Sequence, residues 1–407
     1  MKRRDFLFGT AAAATGAAII PNLWGCKKDE ECPTPESQAH FNYLEVSGTH
    51  HDIGKQIGTR FSKEIMASRM AIPDIVNGAT GIVQAAPDVF YNPFLEASQN
   101  HFPDYVDELQ GIADGSGISF QDIMIGNMAM EIIYLYYELT GKKKYTFPPS
   151  YGCSSTAYSK NGKLFLTHNE DLFTSFLSYM YLLKIKVTGK PEILTLSYPG
   201  MLPGIPPGMN EAGIVQCGND IAGLHIEQSV PMAFHFRSVL DATSLDDAVD
   251  RAKFPNRART MTHNIGSFNE NKIVSVEAAP SKNESHNVDG FYVHTNHFIL
   301  PEMLDIEIMP NGIPSSVSRF EKLTTMSDEY ADKPNDVNGN LITSFMSSHE
   351  GELPPCVHNH SDPLPNPPPV HPPPTASTLS HSVFDFQEKS WKLYYSNPCL
   401  NNSKIIK

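Results

Sequence analysis

The chain has few cysteines and too few basic residues for several classes of protein. Its six cysteines are widely spaced over 407 residues and include no Cys-x-x-Cys pair, which argues against a zinc site or a redox-active pair. The formal net charge is −14, so the chain lacks the basic face that a phosphate backbone requires. A nucleic-acid partner is therefore excluded. If the protein is exported, Cys356 and Cys399 are candidates for a disulfide.

The N-terminal residues have the pattern of an export signal. Basic residues precede a weakly apolar, Ala/Gly-rich run and then a polar segment. Arg3-Arg4-Asp5-Phe6-Leu7 resembles the twin-arginine signal of bacteria, and Leu23-Trp24-Gly25-Cys26 resembles a lipobox, in which Cys26 is lipidated. We expect residues 1–25 to be removed and residues 26–40 to form a tether. The protein would then be periplasmic or on the cell surface, touching the membrane only through its lipid; an uncleaved membrane helix is the alternative.

Residues 41–152 have a helical pattern. An apolar residue recurs every fourth position from Ile53 to Ile65, which marks one buried stripe of a helix. Ser119 and Asp122 form a capping-box start for an apolar helix, Ile123–Leu135. A basic, proline-containing loop then leads to Cys153.

Residues 153–407 change to the alternation that is typical of strands. Asn161-Gly162 separates two alternating runs and predicts a two-residue hairpin turn, and Gly189-Lys190 marks a second hairpin. The proline-rich segment 353–375 is too stiff and too poor in donors to be a core strand.

Few helices interrupt these strands. Ser244 caps one short helix, and Ser315–Met326 forms another. A strand-rich region with so few helices favours antiparallel sheets covered by helical layers over a doubly wound parallel sheet.

The stretch YGCSSTAYSKNGKLFLTHNEDL, residues 151–172, places a thiol at the head of the first hairpin. A lone buried cysteine is usually an inert small hydrophobe. Gly152, however, has no Cβ, which leaves its carbonyl open to attack, and the loop before it is exposed. A papain-like alternative would pair Cys153 with His297 and an asparagine. It lacks both the local signature and the helix N-terminus that lowers the thiol pKa in such enzymes.

Three histidines in the proline-rich segment form a second constellation: His358, His360 and His371. At this spacing the three imidazoles could bind a metal ion. Without accompanying Cys or Asp geometry, a solvated loop is the favoured interpretation, so no metal site is expected.

The residues around Cys153 also carry a family resemblance. GCSSTAYSKNGKLFLTHNEDL is similar to the nucleophile segment of the penicillin acyltransferase-like family, N-terminal-nucleophile hydrolases that include isopenicillin N acyltransferase and are classed with C45 peptidases. Further segments resemble the family's motifs in the same order: SGTHHDIGKQIGTRF, ELQGIADGSGISFQDIMIGN, GMNEAGIVQCGND, VHTNHF, SSVSRF and TLSHSVFDFQEKSWKLYYSNPC. Bile-salt hydrolases and penicillin V acylases share the catalytic logic at a greater distance.

The resemblance implies an α+β, four-layer αββα sandwich with antiparallel sheets, cut by its own cysteine between Gly152 and Cys153. The fragments, residues 41–152 and 153–407, would stay associated. The free α-amine of Cys153 has a reference pKa of about 7.7–8.0 and a thiol about 8.5, so the amine can act as the base. No cofactor is implied. The substrate would be a small N-acyl amide, cleaved through a thioester.

The resemblance also implies roles for the supporting residues. Asp171 would hold the α-amine, Asn296 would donate to the oxyanion, and Arg319 would support the site electrostatically. Asn210 and Asn219 both remain open as a second amide donor. Bile-salt hydrolases carry an arginine just before the aspartate, where this chain has His168-Asn169-Glu170, so their substrate recognition does not carry over. The alternative from another functional class is a ligand-binding surface lipoprotein of the same fold without catalysis.

Overall fold

The computed structural model describes residues 40–141, 152–221, 225–306, 314–351, 353–358 and 376–407. The predicted export signal, Cys26 and most of the tether lie outside these residues. So do most of the basic loop before Cys153 and most of the proline-rich segment, including His360 and His371. Within the described residues, every helix is too short or too polar to cross a membrane.

Fourteen strands are described. They are β1 Asn42–Gly48, β2 Ser154–Lys160, β3 Lys163–Phe173, β4 Tyr181–Val187, β5 Ile193–Ser197, β6 Gly208–Asn210, β7 Ile214–Asp220, β8 Met261–Ser267, β9 Lys272–Ala278, β10 Asn283–Asn287, β11 Gly290–His294, β12 Ala376–Asp385, β13 Ser390–Tyr395 and β14 Ser403–Ile406.

The α-helices of the described residues fall before β2, between β7 and β8, and between β11 and β12. They are α1 His50–Arg60, α2 Ser62–Ala71, α3 Pro73–Ala85, α4 Pro87–Phe90, α5 Asn92–His101, α6 Pro103–Ser116, α7 Phe120–Asn127, α8 Ala129–Thr140, α9 Met232–Val239, α10 Leu245–Ala252, α11 Pro314–Asp328 and α12 Gly339–Met346. Short 3₁₀ turns occupy Thr174–Phe176, Pro301–Ile306 and Pro398–Leu400.

The strands form two sheets. The larger has the order β1-β4-β5-β6-β7-β8-β9-β10, and the smaller has the order β11-β2-β3-β12-β13-β14. Neighbouring strands are antiparallel except β1 and β4, which pair in parallel at the edge of the larger sheet. Strand β2 lies between β11 and β3 in the smaller sheet, and the cysteine that precedes it is buried.

The sheets pack face to face between two helical layers. Leu166 of the smaller sheet and Val215 of the larger belong to one continuous apolar core. On the far side of the larger sheet, Ala248 of α10 packs with Val276 of β9. On the far side of the smaller sheet, Leu323 of α11 packs with residues of β11 and α12. The predicted four-layer α+β sandwich is confirmed.

The hairpin that carries Cys153 forms as predicted. Asn161 and Gly162 connect β2 and β3 with φ values of 53° and 75°. Two consecutive positive φ values give the turn whose twist matches the flanking strands, and Asn-Gly adopts it readily. The register that follows pairs Ser154 with Asn169, so the start of β2 lies beside the last residues of β3.

Several local predictions need correction. The N-terminal region is not wholly helical, because residues 42–48 form an edge strand. The apolar helix after Ser119 is interrupted at Met128, whose φ of −140° ends α7 before α8 begins. Sequence reasoning missed α9 and α12. Cys356 and Cys399 are free, with Sγ atoms 3.9 Å apart, so the disulfide that the sequence left open is not formed.

Glycines in SGTHHDIGKQIGTRF, the first of the segments that resemble the family's motifs, allow α1 to pack closely against α6. A Cβ on Gly54 of α1 would lie 2.0 Å from the carbonyl oxygen of Glu108 on α6. On the facing helix, a Cβ on Gly111 would lie 2.2 Å from the carbonyl oxygen of His51. Real Cβ atoms do not approach so closely, so α1 and α6 can pack only because both surfaces lack side chains there.

Candidate active site

Cys153 lies immediately before β2 and is 8% exposed. The hairpin register brings it against the end of β3: Gly152 N donates to the carbonyl oxygen of Asp171 at 3.4 Å, and Cys153 Sγ lies 3.8 Å from Glu170 Oε1. Burial and then the negative charge of Glu170 raise the pKa of the thiol to about 12. In the uncut chain this thiol is therefore protonated at neutral pH.

Asp171 is 1% exposed, and its two carboxylate oxygens differ. Oδ1 accepts a hydrogen bond from Thr378 Oγ1 at 2.6 Å. Oδ2 is buried and receives no hydrogen bond within the described part of the chain. Burial raises the pKa of this carboxyl to about 7, although Arg319 and Thr378 oppose the rise. A buried carboxylate oxygen without a donor is costly, so this oxygen suits a cationic partner.

Asn296 and Arg319 come from the loop after β11 and from α11. The guanidinium of Arg319 donates at 2.7 Å to the carbonyl oxygen of Cys153, to Ser154 Oγ and to Asn296 Oδ1. Asn296 Nδ2 donates to the carbonyl oxygen of Asp220 at 2.7 Å, which leaves its second N–H for another acceptor. Burial lowers the pKa of Arg319. Arg319 thus fixes both the backbone of Cys153 and the amide of Asn296.

Gly152 fits against these two residues only because it is glycine. Its φ is +136°, and a Cβ there would lie 2.1 Å from Asn296 Oδ1 and 2.9 Å from Arg319 Nη2. The peptide unit between Gly152 and Cys153 therefore lies in contact with the amide predicted to stabilise an oxyanion.

The structure distinguishes between Asn210 and Asn219, the two candidates for the second amide donor. Asn210 Nδ2 donates to the carbonyl oxygens of Leu240 and Ala242, and its Oδ1 accepts from Ile214 N. It is a structural residue and does not line the site. Asn219 is fully buried and accepts from Ser155 Oγ at 2.9 Å.

Two residues at the site were noted in the sequence only as a departure from bile-salt hydrolases. His168 and Glu170 lie two apart on β3, so their side chains share a face, and Glu170 Oε2 is 3.1 Å from His168 Nε2. Glu170 Oε1 accepts from Tyr198 Oη at 2.6 Å. The period of two along β3 could have identified this pair. Tyr198 follows β5 and Thr378 lies on β12, and no local signal points to either residue.

The hydrogen bonds of His168 fix its charge. The hydroxyl proton of Ser155 is given to Asn219, so His168 Nδ1 donates to Ser155 Oγ at 2.9 Å while Nε2 donates to Glu170. A ring that donates at both nitrogens is protonated. Burial alone would lower the pKa of His168, but contacts with Cys217, Cys153 and Glu170 outweigh it and raise the pKa well above its usual value. His168 is therefore unsuited to take a proton from Cys153.

A cavity of about 210 Å³ opens beside Cys153. Its wall is mainly apolar, and it also includes Gly152, Cys153, Asp171 and Asn296. The apolar residues come from both chain regions: Ile72, Ile75, Met130, Leu172, Phe173, Phe176, Met201, Ile205, Met232 and Phe236. Met130 belongs to α8, so the helix before the loop lines the cavity as well as the core.

The papain-like pairing is wrong. His297 Nδ1 contacts Ser316 Oγ at 2.7 Å, and burial lowers its pKa to about 4. It does not line the cavity next to Cys153. Of the three histidines in the proline-rich segment, only His358 is described, and it also lies outside that wall.

Taken together, the fold and the site define a four-layer α+β protein whose buried cysteine opens the central hairpin beside an aspartate, an asparagine and an arginine. Residues 158–399 match the family model "Acyl-coenzyme A:6-aminopenicillanic acid acyl-transferase". The chain belongs to this acyl-transferase family.

Two curated relatives agree with this membership. The chain is 28% identical over 264 residues to the beta-alanyl-dopamine/carcinine hydrolase of Drosophila melanogaster, covering 60% of this chain and 67% of that one. It is 24% identical over 290 residues to the acyl-coenzyme A:6-aminopenicillanic-acid-acyltransferase 40 kDa form of Emericella nidulans, covering 69% and 76%.

Similar solved structures include a variant of the conjugated bile acid hydrolase from Clostridium perfringens. It shares 14% identity with a TM-score of 0.42, covering 60% of this chain and 89% of that one. The penicillin V acylase from Agrobacterium tumefaciens shares 12% identity with a TM-score of 0.32, covering 60% and 82%.

Proposed function

We propose that the protein is a self-processing amidohydrolase or acyltransferase whose nucleophile is Cys153. The observation that carries this proposal is the buried Oδ2 of Asp171, which has no donor among the described residues and lies in the wall of the same cavity as Cys153. A new α-ammonium at Cys153 would supply that donor and a compensating charge. Both curated relatives are named for hydrolysis or acyl transfer, which supports the same chemistry.

Processing begins at the peptide bond between Gly152 and Cys153. The Cys153 thiol attacks the Gly152 carbonyl carbon, the C–N bond breaks as the C–S bond forms, and the proton lost by the thiol is taken up by the nitrogen, which becomes an amine. Water then cleaves the thioester, releasing the Gly152 carboxylate and restoring the thiol. The side chain of Asn296 lies next to Gly152, which supports a role for its amide at the carbonyl that reacts.

Turnover repeats the same chemistry on a substrate amide. The free α-amine of Cys153 takes the thiol proton, because the reference pKa values of the two groups lie within about one unit of each other. The second N–H of Asn296 Nδ2 stabilises the oxyanion, and the amine leaves with the proton. The thioester is then cleaved by water or by an acceptor amine. Arg319 acts as a positioning residue through its bonds to Cys153 and Asn296.

A cysteine–histidine enzyme that uses His168 as its base is the second candidate, because His168 and Cys153 lie in one cluster with Glu170. The hydrogen bonds that keep His168 protonated weigh against it. His168→Gln decides between them: the processed protein should keep turnover within about tenfold if the α-amine is the base. A loss as large as that of Cys153→Ala would favour His168.

The charges around the cavity indicate a class of substrate. Among the described residues of its wall, four carry a carboxyl group and one, Arg259, carries a guanidinium; the carboxyls belong to Glu131, Glu170, Asp171 and Asp220. An apolar wall with this excess of carboxyl over guanidinium groups suits a small acyl amide that is uncharged or cationic. Anionic amides would meet a repulsive field.

The proposal is tested with the processed enzyme on a panel of N-acyl amides matched in size and differing in charge. We expect turnover of neutral and cationic members, loss of activity in Cys153→Ala, and weak or absent turnover of anionic ones. Selective labelling of Cys153 by an iodoacetamide probe should be blocked by a good substrate. A ligand-binding lipoprotein would bind panel members without turnover or protected labelling, which would overturn the proposal.

We also propose that the protein is exported and anchored by lipid at Cys26. The twin-arginine-like start and the sequence Leu23-Trp24-Gly25-Cys26 support this. The mature enzyme would then act in the periplasm or at the cell surface on small amides arriving from outside.

A further inference from the structure

A second cluster of metal-ligating side chains lies apart from the cavity. It comprises His349, Cys356, His358 and Cys399, whose four ligand atoms all lie within 4.8 Å of one another. None of the four lines the catalytic cavity. The histidines and the first cysteine come from the segment after α12, and Cys399 comes from the 3₁₀ turn near the C-terminus.

The distances within the cluster are close to those of a tetrahedral ligand set, within about 0.3 Å for the four pairs given below. Zn–S bonds of about 2.3 Å and Zn–N bonds of about 2.0–2.1 Å place ligand atoms about 3.3–3.8 Å apart. Here the two Sγ atoms are 3.9 Å apart, and His358 Nε2 lies 3.6 Å from Cys356 Sγ. His358 Nε2 also lies 3.1 Å from Cys399 Sγ and 3.0 Å from His349 Nε2.

The chemistry of the set selects zinc. Two thiolates and two neutral imidazoles in a tetrahedron are a common structural zinc set, and the two thiolates balance the charge of the ion. We propose that these four residues bind a structural Zn²⁺ ion. Four protein ligands fill the tetrahedron and leave no open position, so this zinc takes no part in acyl transfer.

The surroundings supply the support that metal ligands require. Asn397 Nδ2 donates to Cys356 Sγ at 3.5 Å and to the carbonyl oxygen of Val357 at 2.6 Å. The backbone N–H of Cys356 donates to Ser348 O at 3.1 Å. These bonds orient the thiolate and hold its backbone, which is the usual role of groups around a metal site. His349 is exposed, which gives the ion a route of entry.

The zinc would hold the predicted catalytic aspartate in place through two residues, Val357 and Thr378. Val357 lies between two ligands, donates to Thr378 Oγ1 at 3.0 Å and accepts from Thr378 N at 2.9 Å. Thr378 in turn donates to Asp171. An ion that fixes Cys356 and His358 would therefore also fix the hydroxyl that binds the carboxylate predicted to hold the α-amine.

Sequence spacing concealed this site. The two cysteines are separated by 43 positions, and the motif is Cys-x-His with no Cys-x-x-Cys pair. The sequence expectation of no zinc site is therefore replaced by this proposal, and His360 and His371 are not needed for it.

The test measures metal in the full chain, purified with a non-thiol reductant and without chelator. We expect one zinc per chain, and Co²⁺ substitution should give the visible absorption of a tetrahedral site with thiolate-to-cobalt charge transfer. His349→Ala and Cys399→Ser should each weaken zinc binding at least about 100-fold, and Asn397→Ala by about 10- to 100-fold. Removing the zinc should lower the melting temperature.

Two matched variants serve as controls. His225→Ala removes an exposed histidine outside the cluster, and Cys217→Ser removes a buried thiol outside it; both should retain one zinc. Because His349 is exposed, His349→Ala tests the site without disturbing the core, and circular dichroism checks its fold. Absence of zinc, zinc retained in both ligand variants, or a Cys356–Cys399 disulfide in the protein isolated without reductant would each overturn the proposal.

Discussion

Thr378 donates a hydrogen bond of 2.6 Å to Oδ1 of Asp171, and the other oxygen of that carboxylate is buried without a donor in the described chain. The two residues lie on neighbouring strands, β12 and β3, at the register position where they pair. This half-satisfied carboxylate belongs to the wall of the same cavity as Cys153, whose nitrogen would become an ammonium group on self-cleavage. The uncut chain therefore carries a cost that processing would relieve.

This cost should make the stability of the uncut chain depend on pH. The pKa of Asp171 is raised to about 7 in the folded chain from 3.8. For a group with a raised folded pKa, the stabilising contribution is complete below the unfolded pKa and is lost as pH rises through the folded pKa.

Uncut Cys153→Ala should therefore lose stability between about pH 4 and pH 7, by up to about 4 kcal/mol from this group. Adding Asp171→Asn should remove most of that loss, because an amide does not titrate. Chemical denaturation at several pH values measures the difference between the two variants. Parallel pH dependence in both would show that Asp171 is not the titrating group.

Cys153 should be required for cutting as well as for turnover. The active protein should run on a denaturing gel as two fragments, one ending at Gly152 and one comprising residues 153–407. Cys153→Ala should give one uncut, inactive chain, and Cys153→Ser should cut slowly because a hydroxyl is the weaker nucleophile. Under native conditions the fragments should stay together, since the apolar core joins both regions. If intact mass showed a fully active chain that is uncut, Cys153 would be an ordinary core residue and not a self-processing nucleophile.

Gly152→Ala should block processing. A Cβ at this position would lie 2.1 Å from Asn296 Oδ1 and would force the scissile peptide away from the amide. Gly290→Ala is the matched control, because Gly290 also has a positive φ but nothing within 4 Å of its Cβ position. Intact mass spectrometry should find the first variant uncut and the second cut normally. Equal processing of both would contradict the geometry described for Gly152.

The three asparagines should separate into two kinds. Asn296→Ala should lower turnover about 100- to 1000-fold with the fold intact, as expected for an oxyanion donor. Asn210→Ala should instead lower the free energy of unfolding by about 1–3 kcal/mol, because it leaves buried carbonyls without donors, while the folded fraction stays active. Asn219→Ala should lower turnover by no more than His168→Gln does, because its hydrogen bond reaches the site only through Ser155 and His168. Steady-state kinetics with circular dichroism distinguishes these results, and unchanged turnover in Asn296→Ala would remove it from the site.

Processing at the lipobox and membrane anchoring should depend on Cys26. If Cys26 is lipidated, the mature protein should begin there and partition with membranes, and Cys26→Ser should stay unprocessed or be released. Cys32→Ser, a cysteine close by and outside the lipobox, is the control. N-terminal sequencing of protein from the native host that recovers residues 1–25 would rule out the lipobox assignment.

Much of the fold follows from local sequence. The Asn161-Gly162 turn fixes its hairpin because few dipeptides adopt two positive φ values, and Ser119 and Ser244 cap helices because their hydroxyls reach the third N–H. Edge strand β1 escaped detection because its pairing partner, β4, lies more than 130 residues away. The break at Met128 escaped because the apolar pattern runs on through both helices.

The sequence by itself predicted the cysteine and its glycine, and its resemblance to a known family predicted the three supporting residues, because all of them lie in short segments that can be recognised without the fold. Only the tertiary structure decided which groups contact them. Thr378, Tyr198 and the zinc ligands converge from strands and turns far apart in the chain, since sheet register and layer packing, and not local propensity, bring them together. The same packing keeps His297 and Asn210 out of the candidate active site, although their residue types had made them candidates for a base and an amide donor.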